Sequence, residues 1–316
     1  MKVAVVYDEP LAFEKKDMVF AVCKALSSLY NAKPLPFNEK FLSNVRSFDF
    51  VFNLSTGGGK YNKQVHVPAV LDVLGIPFTG SSAGVHAICM DKGLTKLILQ
   101  KNNIPTPPFT VITNPSEITD PGFYPAFVKP SREGSAEGVS EKSVVKNFIE
   151  LKERVISLYE AFREPILVEE FIDGREFTVG IVGNGEQAKV LPILEIDFSQ
   201  LPEGLERFYS HRVKHNYAEK TRYICPARLE AEQVKELENL ALRTYKALRM
   251  FDYARIDVRM NDNGFHIIEA NSLPLLVPVY SDLTKMLEPI GWNYDDLVLN
   301  IFKAAKIRQK LLHNLE

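Results

Sequence analysis

Cysteine is scarce in these 316 residues: Cys23, Cys89 and Cys225 are odd in number and form no CxxC pair. That excludes a disulfide framework and a zinc site built on cysteine pairs, and it fits a reducing compartment, so the cytoplasm is the expected location. An excess of positive charge is also lacking, since 38 Lys+Arg stand against 40 Asp+Glu. Without a gross positive field, a nucleic-acid partner is not expected. No apolar run approaches the ~18 residues of a membrane span, and the five apolar positions from Val3 to Tyr7 are too short for a secretory signal. No membrane partner is expected either. What is present is ordinary for a globular chain, with 46% hydrophobic residues and a length of about two domains at roughly 150 residues each. The expected partner is a small molecule.

Apolar runs at residues 2–7 and 48–54, with a helical stretch at 15–29 between them, read as a β-α-β beginning. Helices are expected at 68–74 and 92–101, and Pro105, Pro107 and Pro108 then mark a boundary. A second block has a strand at 126–128, a polar glycine-bearing loop at 129–138, a helix at 141–161 and strands at 166–170 and 176–182, with Asp173-Gly174 as a hairpin turn. The third block has a strand at 191–196, a long polar segment at 199–220 and a helix at 230–248. A hairpin at 253–260 and 265–270, turned by Asn261-Asp262-Asn263-Gly264, and an amphipathic helix at 294–312 complete it. Three units are expected: 1–105 as α/β, 106–185 as a small α+β unit, and 186–316.

The sharpest constellation lies on that hairpin. Residues two apart on a strand share a face, so Arg255, Asp257 and Arg259 point together on one arm, and Glu269 and Asn271 on the other. Two carboxylates and an amide oxygen suit Mg²⁺, completed by substrate phosphates; the same spacing also describes ordinary cross-strand charge pairs on an exposed hairpin. Lys92, Lys129 and Lys214 add isolated positive charges, and Lys129 directly precedes a loop whose N–H groups and Ser131 and Ser135 hydroxyls can surround phosphates. Taken singly, each lysine reads more readily as a solvated surface charge. Two other patterns fail. Gly57-Gly58-Gly59-Lys60 has Leu54 and Tyr61 where a P-loop needs Gly and Ser or Thr, and His211 and His215 have no third metal ligand near in sequence.

Met90-Asp91-Lys92, Val128 to Ser135, Leu167 to Ile172, Gly174 to Val179, Tyr223 to Ala227, Arg255 to Val258 and Glu269-Ala270-Asn271 follow in the order seen in D-alanine-D-alanine ligases of the ATP-grasp superfamily. The chain resembles that family over essentially its whole length, including Phe52-Asn53 and Gly75 to Ser81. The resemblance implies a mixed α/β and α+β fold of ATP-grasp architecture, with an N-terminal Rossmann-like domain, a small central domain and a C-terminal domain. It implies ATP and two Mg²⁺ ions, with Mn²⁺ an alternative, and small amino acids as substrates. Lys92, Lys129 and Lys214 would contact ATP phosphates, Glu169 with the backbone at Glu170, Phe171 and Ile172 would hold adenine, and Glu176 the ribose. Asp257, Glu269 and Asn271 would bind metal, Arg255 would stabilise an acyl phosphate and a tetrahedral intermediate, and Ser135 would help close the loop. The implied reaction activates a carboxylate with ATP and lets an amine attack it, giving an amide, ADP and phosphate. A homodimer through the N-terminal domain is expected by resemblance alone.

The departures concern the amino acid sites. The first turn, residues 8–14, lacks the family's glycines, so Glu14 or Glu9 is left to meet the donor ammonium. Leu275 replaces a glycine where backbone approaches the second substrate, with Ser281 and Leu283 beyond it. The loop at 55–62 lacks the family's Glu-Asp-Gly pattern, and His215 stands where a Tyr is usual, either as part of an altered acceptor site or as a tolerated loop residue. These changes give an expectation of altered substrate preference, with little D-alanyl-D-alanine formed. A silent ATP-binding regulator is a further reading, opposed by the presence of Arg255 and all three metal-ligand candidates.

Overall fold

The computed structural model describes residues 1–9, 13–57 and 63–313; the side chains of Phe13, Glu14, His211, Lys214, His215, Ala218, Leu312 and His313 are outside that description. Val3 to Val6 are fully buried, as a strand covered on both faces must be. This strand, β1 (Lys2–Asp8), runs parallel between β2 (Asn31–Phe37) and β3 (Phe50–Asn53). Alternation along β1 divides the packing: Val3 and Val5 meet Met18 and Val22 of α1 (Phe13–Ser27). Ala4 and Val6 meet Phe41 of α2 (Phe41–Asn44) and Leu71 of α3 (His66–Leu74). Two helices, α4 (Ala83–Met90) and α5 (Lys92–Lys101), lead out of this unit. Asp91 between them caps α5 by accepting the Leu94 N–H at 3.1 Å.

The central sheet is antiparallel, in the order β4 (Phe109–Ile112), β7 (Ile166–Glu170), β5 (Ala126–Pro130), β6 (Val144–Val145), and α6 (Phe148–Phe162) packs Leu151, Val155 and Leu158 against it. The third sheet is also antiparallel, in the order β11 (Arg222–Ile224), β10 (Leu194–Asp197), β8 (Arg175–Val182), β12 (Tyr253–Asn261), β13 (Gly264–Asn271), with β9 (Lys189–Val190) on β8. Around it lie α7 (His211–Asn216), α8 (Ala231–Ala247), α9 (Asp282–Lys285) and α10 (Tyr294–His313). The apolar stripe of α8, including Leu237, Leu240 and Ala241, covers β8 and β12. The last helix returns to the beginning of the chain. Leu297, Val298, Ile301 and Phe302 of α10 share one core with Val3, Met18, Val22 and Phe50. Arg308 donates to the carbonyls of Phe78 and Gly80 and pairs with the fully buried Asp252 at 2.8 Å.

Several expectations change. Asp173-Gly174 does not turn a hairpin: β7 and β8 lie in different sheets, and residues 171–174 carry the chain across. Gly174 is required there, at φ 152, because a Cβ would stand 2.0 Å from the Met260 carbonyl oxygen. Consequently β8, inside the range 106–185 expected for the central unit, pairs with β10 and β12 of the third sheet. The helix expected from 141 begins only at Phe148, where Asn147 accepts N–H groups of Ile149 and Glu150. The strand expected at 191 starts at Leu194, and the polar segment 199–220 holds α7. Sequence periodicity overlooked β2, whose Pro34 and Pro36 are tolerated because it is an edge strand.

Candidate active site

A cavity of about 530 Å³ opens between the central sheet and the third sheet, closed at one end by Lys15, Thr56, Lys63 and Gln64 of the first unit. Its floor is the hairpin β12–β13. Arg255 pairs with Asn271 in register and Asp257 with Glu269, and a bulge follows Asp257, leaving these four side chains at the cavity wall. Arg255 lies bidentate on Asp257, with Nε at 2.9 Å and Nη2 at 2.8 Å, and its Nη1 is 3.5 Å from Asp282. Thr178 Oγ1 donates to Asp257 at 2.6 Å and Asn271 Nδ2 at 2.9 Å. Burial acts to raise the Asp257 carboxyl, but Arg255 and these donors outweigh it and hold Asp257 below the usual carboxylate range. For Arg255 burial works against the charge, and Asp257 and Asp282 more than offset it, pushing it upward.

Lys92 joins two sides of the cavity. Its Nζ is 3.1 Å from Glu269 and donates to the Glu133 carbonyl at 2.5 Å, drawing the 131–138 loop toward the hairpin. The loop is also tethered at its start, where Arg132 donates Nε to Asp91 and its N–H to Glu164. Ser135 and Ala136 take φ of 54 and 62, the left-handed region, and Ser135 lines the cavity. Lys129, at the end of β5, stands 2.6 Å from Glu169 on β7. Phe171 is stacked near Phe127, and Glu170, Phe171 and Ile172 line this end of the cavity. Glu176 faces it from β8 and pairs with Arg259 at 2.9 Å. Burial pushes the Glu176 carboxyl up to about 7, with Arg259 opposing and Asp257 and Asp282 assisting.

The cavity therefore brings together Lys92, Lys129, Ser135, Glu169, Glu170, Phe171, Ile172, Glu176, Arg255, Asp257, Glu269, Asn271 and Leu275 of the residues expected from sequence. Ser281 and Leu283 do not line it. Ser281 Oγ accepts the Val277 N–H at 2.9 Å, and Leu283 is fully buried against Gly180. Lys214 and His215 fall on α7 and Glu14 on α1, with side chains beyond the described part. Sequence reasoning missed Lys96, Thr178 and Asp282, and it set Arg259 on the face of Arg255 and Asp257 without giving it a role. Lys96 had a signal, being one helical turn after Lys92 on α5. Among the described residues no group of three His, Cys, Asp or Glu is placed to hold a metal. The donor set is instead two carboxylates and an amide, Asp257, Glu269 and Asn271, which suits a cation whose remaining ligands are phosphates and water.

Comparison with known proteins decides the family. A family profile described as D-ala D-ala ligase C-terminus matches residues 98–303. The chain belongs to the D-alanine-D-alanine ligase family. It is 35% identical over 285 residues to the D-alanine–D-alanine ligase of Pediococcus pentosaceus, covering 89% of this chain and 75% of that protein. It is 32% identical over 265 residues to the uncharacterized protein y4sG of Sinorhizobium fredii, covering 83% and 76%. The crystal structure of the Bacillus anthracis D-alanine–D-alanine ligase complexed with ATP superposes with a TM-score of 0.78 at 26% identity, over 98% of this chain and 99% of that one. The fold is the ATP-grasp architecture of this family. Among the described residues no helix is long and apolar enough to cross a membrane.

Proposed function

We propose that this protein is an ATP-dependent ligase that joins two D-alanine molecules through an acyl phosphate, releasing ADP and phosphate. The observation that carries the reading is Arg255, locked on Asp257 and facing Glu269 and Lys92 across one cavity, in a chain of this family. The names of the relatives support dipeptide formation over the altered acceptor drawn from Leu275 and His215, and over a silent ATP-binding protein.

Each side chain has work that its position allows. Lys92 and Lys129 neutralise phosphate oxygens, while Ser135 and the loop N–H groups cover them; for Lys214 the same role rests on the family resemblance alone. Glu169 and the segment Glu170 to Ile172 hold the adenine, and Glu176 takes the ribose hydroxyls. Asp257, Glu269 and Asn271 hold Mg²⁺, which supplies charge neutralisation at the transferring phosphoryl group. Arg255, already charged and oriented, stabilises negative charge as the amine attacks the activated carboxyl. The cavity walls bring both substrates together and exclude water from the acyl phosphate. The same reading places the protein in the cytoplasm as a homodimer, which light scattering tests.

The experiment is ADP release with ATP, Mg²⁺ and D-alanine, with mass spectrometry of the products. D-alanyl-D-alanine in a one-to-one ratio with ADP is the expected result. Turnover only with a different pair of amino acids, or none at all, would reject the proposal.

A further inference from the structure

Glu169 is almost completely buried, and two ammonium groups flank it. Lys129 Nζ stands 2.6 Å from Oε1 and Lys96 Nζ 2.7 Å from Oε2. The two lysines differ in outlook. Lys129 lines the cavity, whereas Lys96 does not and is 1% exposed. Lys96 is anchored from behind: it donates to Thr106 Oγ1 at 2.7 Å, and that hydroxyl donates to the Ile267 carbonyl at 2.8 Å. Each carboxylate oxygen of Glu169 is thus engaged by one ammonium group.

A buried lysine with no face to the cavity has no direct use for a ligand, yet its charge is costly to desolvate unless it is paired. Lys129 cannot serve Glu169 and a phosphate at full strength together. We infer that Lys96 is a positioning residue for the nucleotide base: it remains the counter-ion of Glu169 when phosphate draws Lys129 away, keeping that carboxylate an acceptor only. This rests on the reading that Glu169 faces the adenine. An ionised carboxylate can accept from the 6-amino group of adenine and has nothing to donate to a 6-oxo group, so the lysine makes the site select adenine over hypoxanthine. Burial acts to raise the Glu169 carboxyl, and the charges of Lys129 and Lys96 outweigh it, so Glu169 lies below its ordinary value. The charged and titratable groups around the trio include Glu170 on β7, Glu176 on β8 and His266 and Glu269 on β13.

Equilibrium binding of ATP and of ITP, measured by calorimetry without any amino acid, tests this separately from ligase turnover. The wild-type protein is expected to prefer ATP, with an ATP-to-ITP affinity ratio that stays level between about pH 5 and 8, because Glu169 stays ionised across that range. In Lys96→Met the buried carboxylate loses its permanent counter-charge and protonates, so ATP affinity falls as pH falls and the ratio drops about 10- to 100-fold, the worth of a charged hydrogen bond. Lys129→Met should weaken both nucleotides and leave the ratio in place. An unchanged ratio in folded Lys96→Met, or a ratio that collapses in Lys129→Met instead, overturns the inference. If Lys96→Met does not fold, the wild-type pH series still decides: a ratio that varies across that range means that Glu169 is not held ionised.

Discussion

The two ends of the cavity are built differently. At the proposed nucleotide end the buried carboxylates Glu169 and Glu176 are set on strands and paired, as in Lys96–Glu169–Lys129 and Glu176–Arg259. At the proposed amino acid end the expected contacts separate. Leu275 reaches the wall while Ser281 and Leu283 turn inward, and Lys15 and Lys63 are cations contributed by the first unit. Strand register places side chains by a fixed period, whereas loop side chains point wherever packing leaves room. The proposed nucleotide end is therefore a charge lattice carried on strands, and the proposed amino acid end a set of loops fitted around an apolar core.

The largest effect expected from this contrast is at the junction of the two ends. Arg255→Ala should lower the rate of ADP release by about 10²- to 10³-fold, as loss of a preorganised transition-state donor does, while ATP binding by calorimetry stays largely intact. Unchanged turnover removes Arg255 from the mechanism. Leu283→Ala should act on stability instead, costing about 2–5 kcal/mol in urea unfolding because it leaves a cavity beside Gly180 and Met286. A folded variant of normal stability but changed amino acid KM would instead place Leu283 at the substrate.

The smallest effect concerns Glu176. Its carboxyl titrates near 7 when folded against an ordinary 4.5, so between those values the folded chain keeps a proton that the unfolded chain has released. The group's contribution to stability is present in full below about 4.5 and is lost as pH rises through about 7. Glu176→Gln should therefore flatten part of the decline in melting temperature across that interval, in the absence of nucleotide. Identical slopes for variant and wild type would show that Glu176 titrates normally.

The hairpin β12–β13 was readable because period-two alternation and Asn261-Asp262-Asn263-Gly264 both point to it, and α5 as the helical stretch that ends before Pro105, Pro107 and Pro108. The bulge after Asp257 was not, since an extra residue in one strand leaves the same residue types in place. Asp173-Gly174 looked like a hairpin turn because glycine serves a sharp crossing between sheets equally well. Lys96 was hidden for another reason: a lysine's usual place is in water, and only its tertiary partners, Glu169 and Thr106, take it inside. Similarly, Ser281 and Leu283 were expected at the substrate from the family resemblance, but Val277 and Gly180 settle where they point.

The core shared by α1, β1, β3 and α10 bears on whether the molecule can be taken apart. A fragment ending near residue 105 looks like a module, with its own parallel sheet and flanking helices. Cut free, it would bare Met18, Val22 and Phe50 where Leu297, Ile301 and Phe302 now cover them, and it would lose the Arg308 clasp on Phe78 and Gly80. The opening unit is thus not severable: its fold is finished by a helix some two hundred residues downstream, so any transplanted or shortened version has to carry both segments.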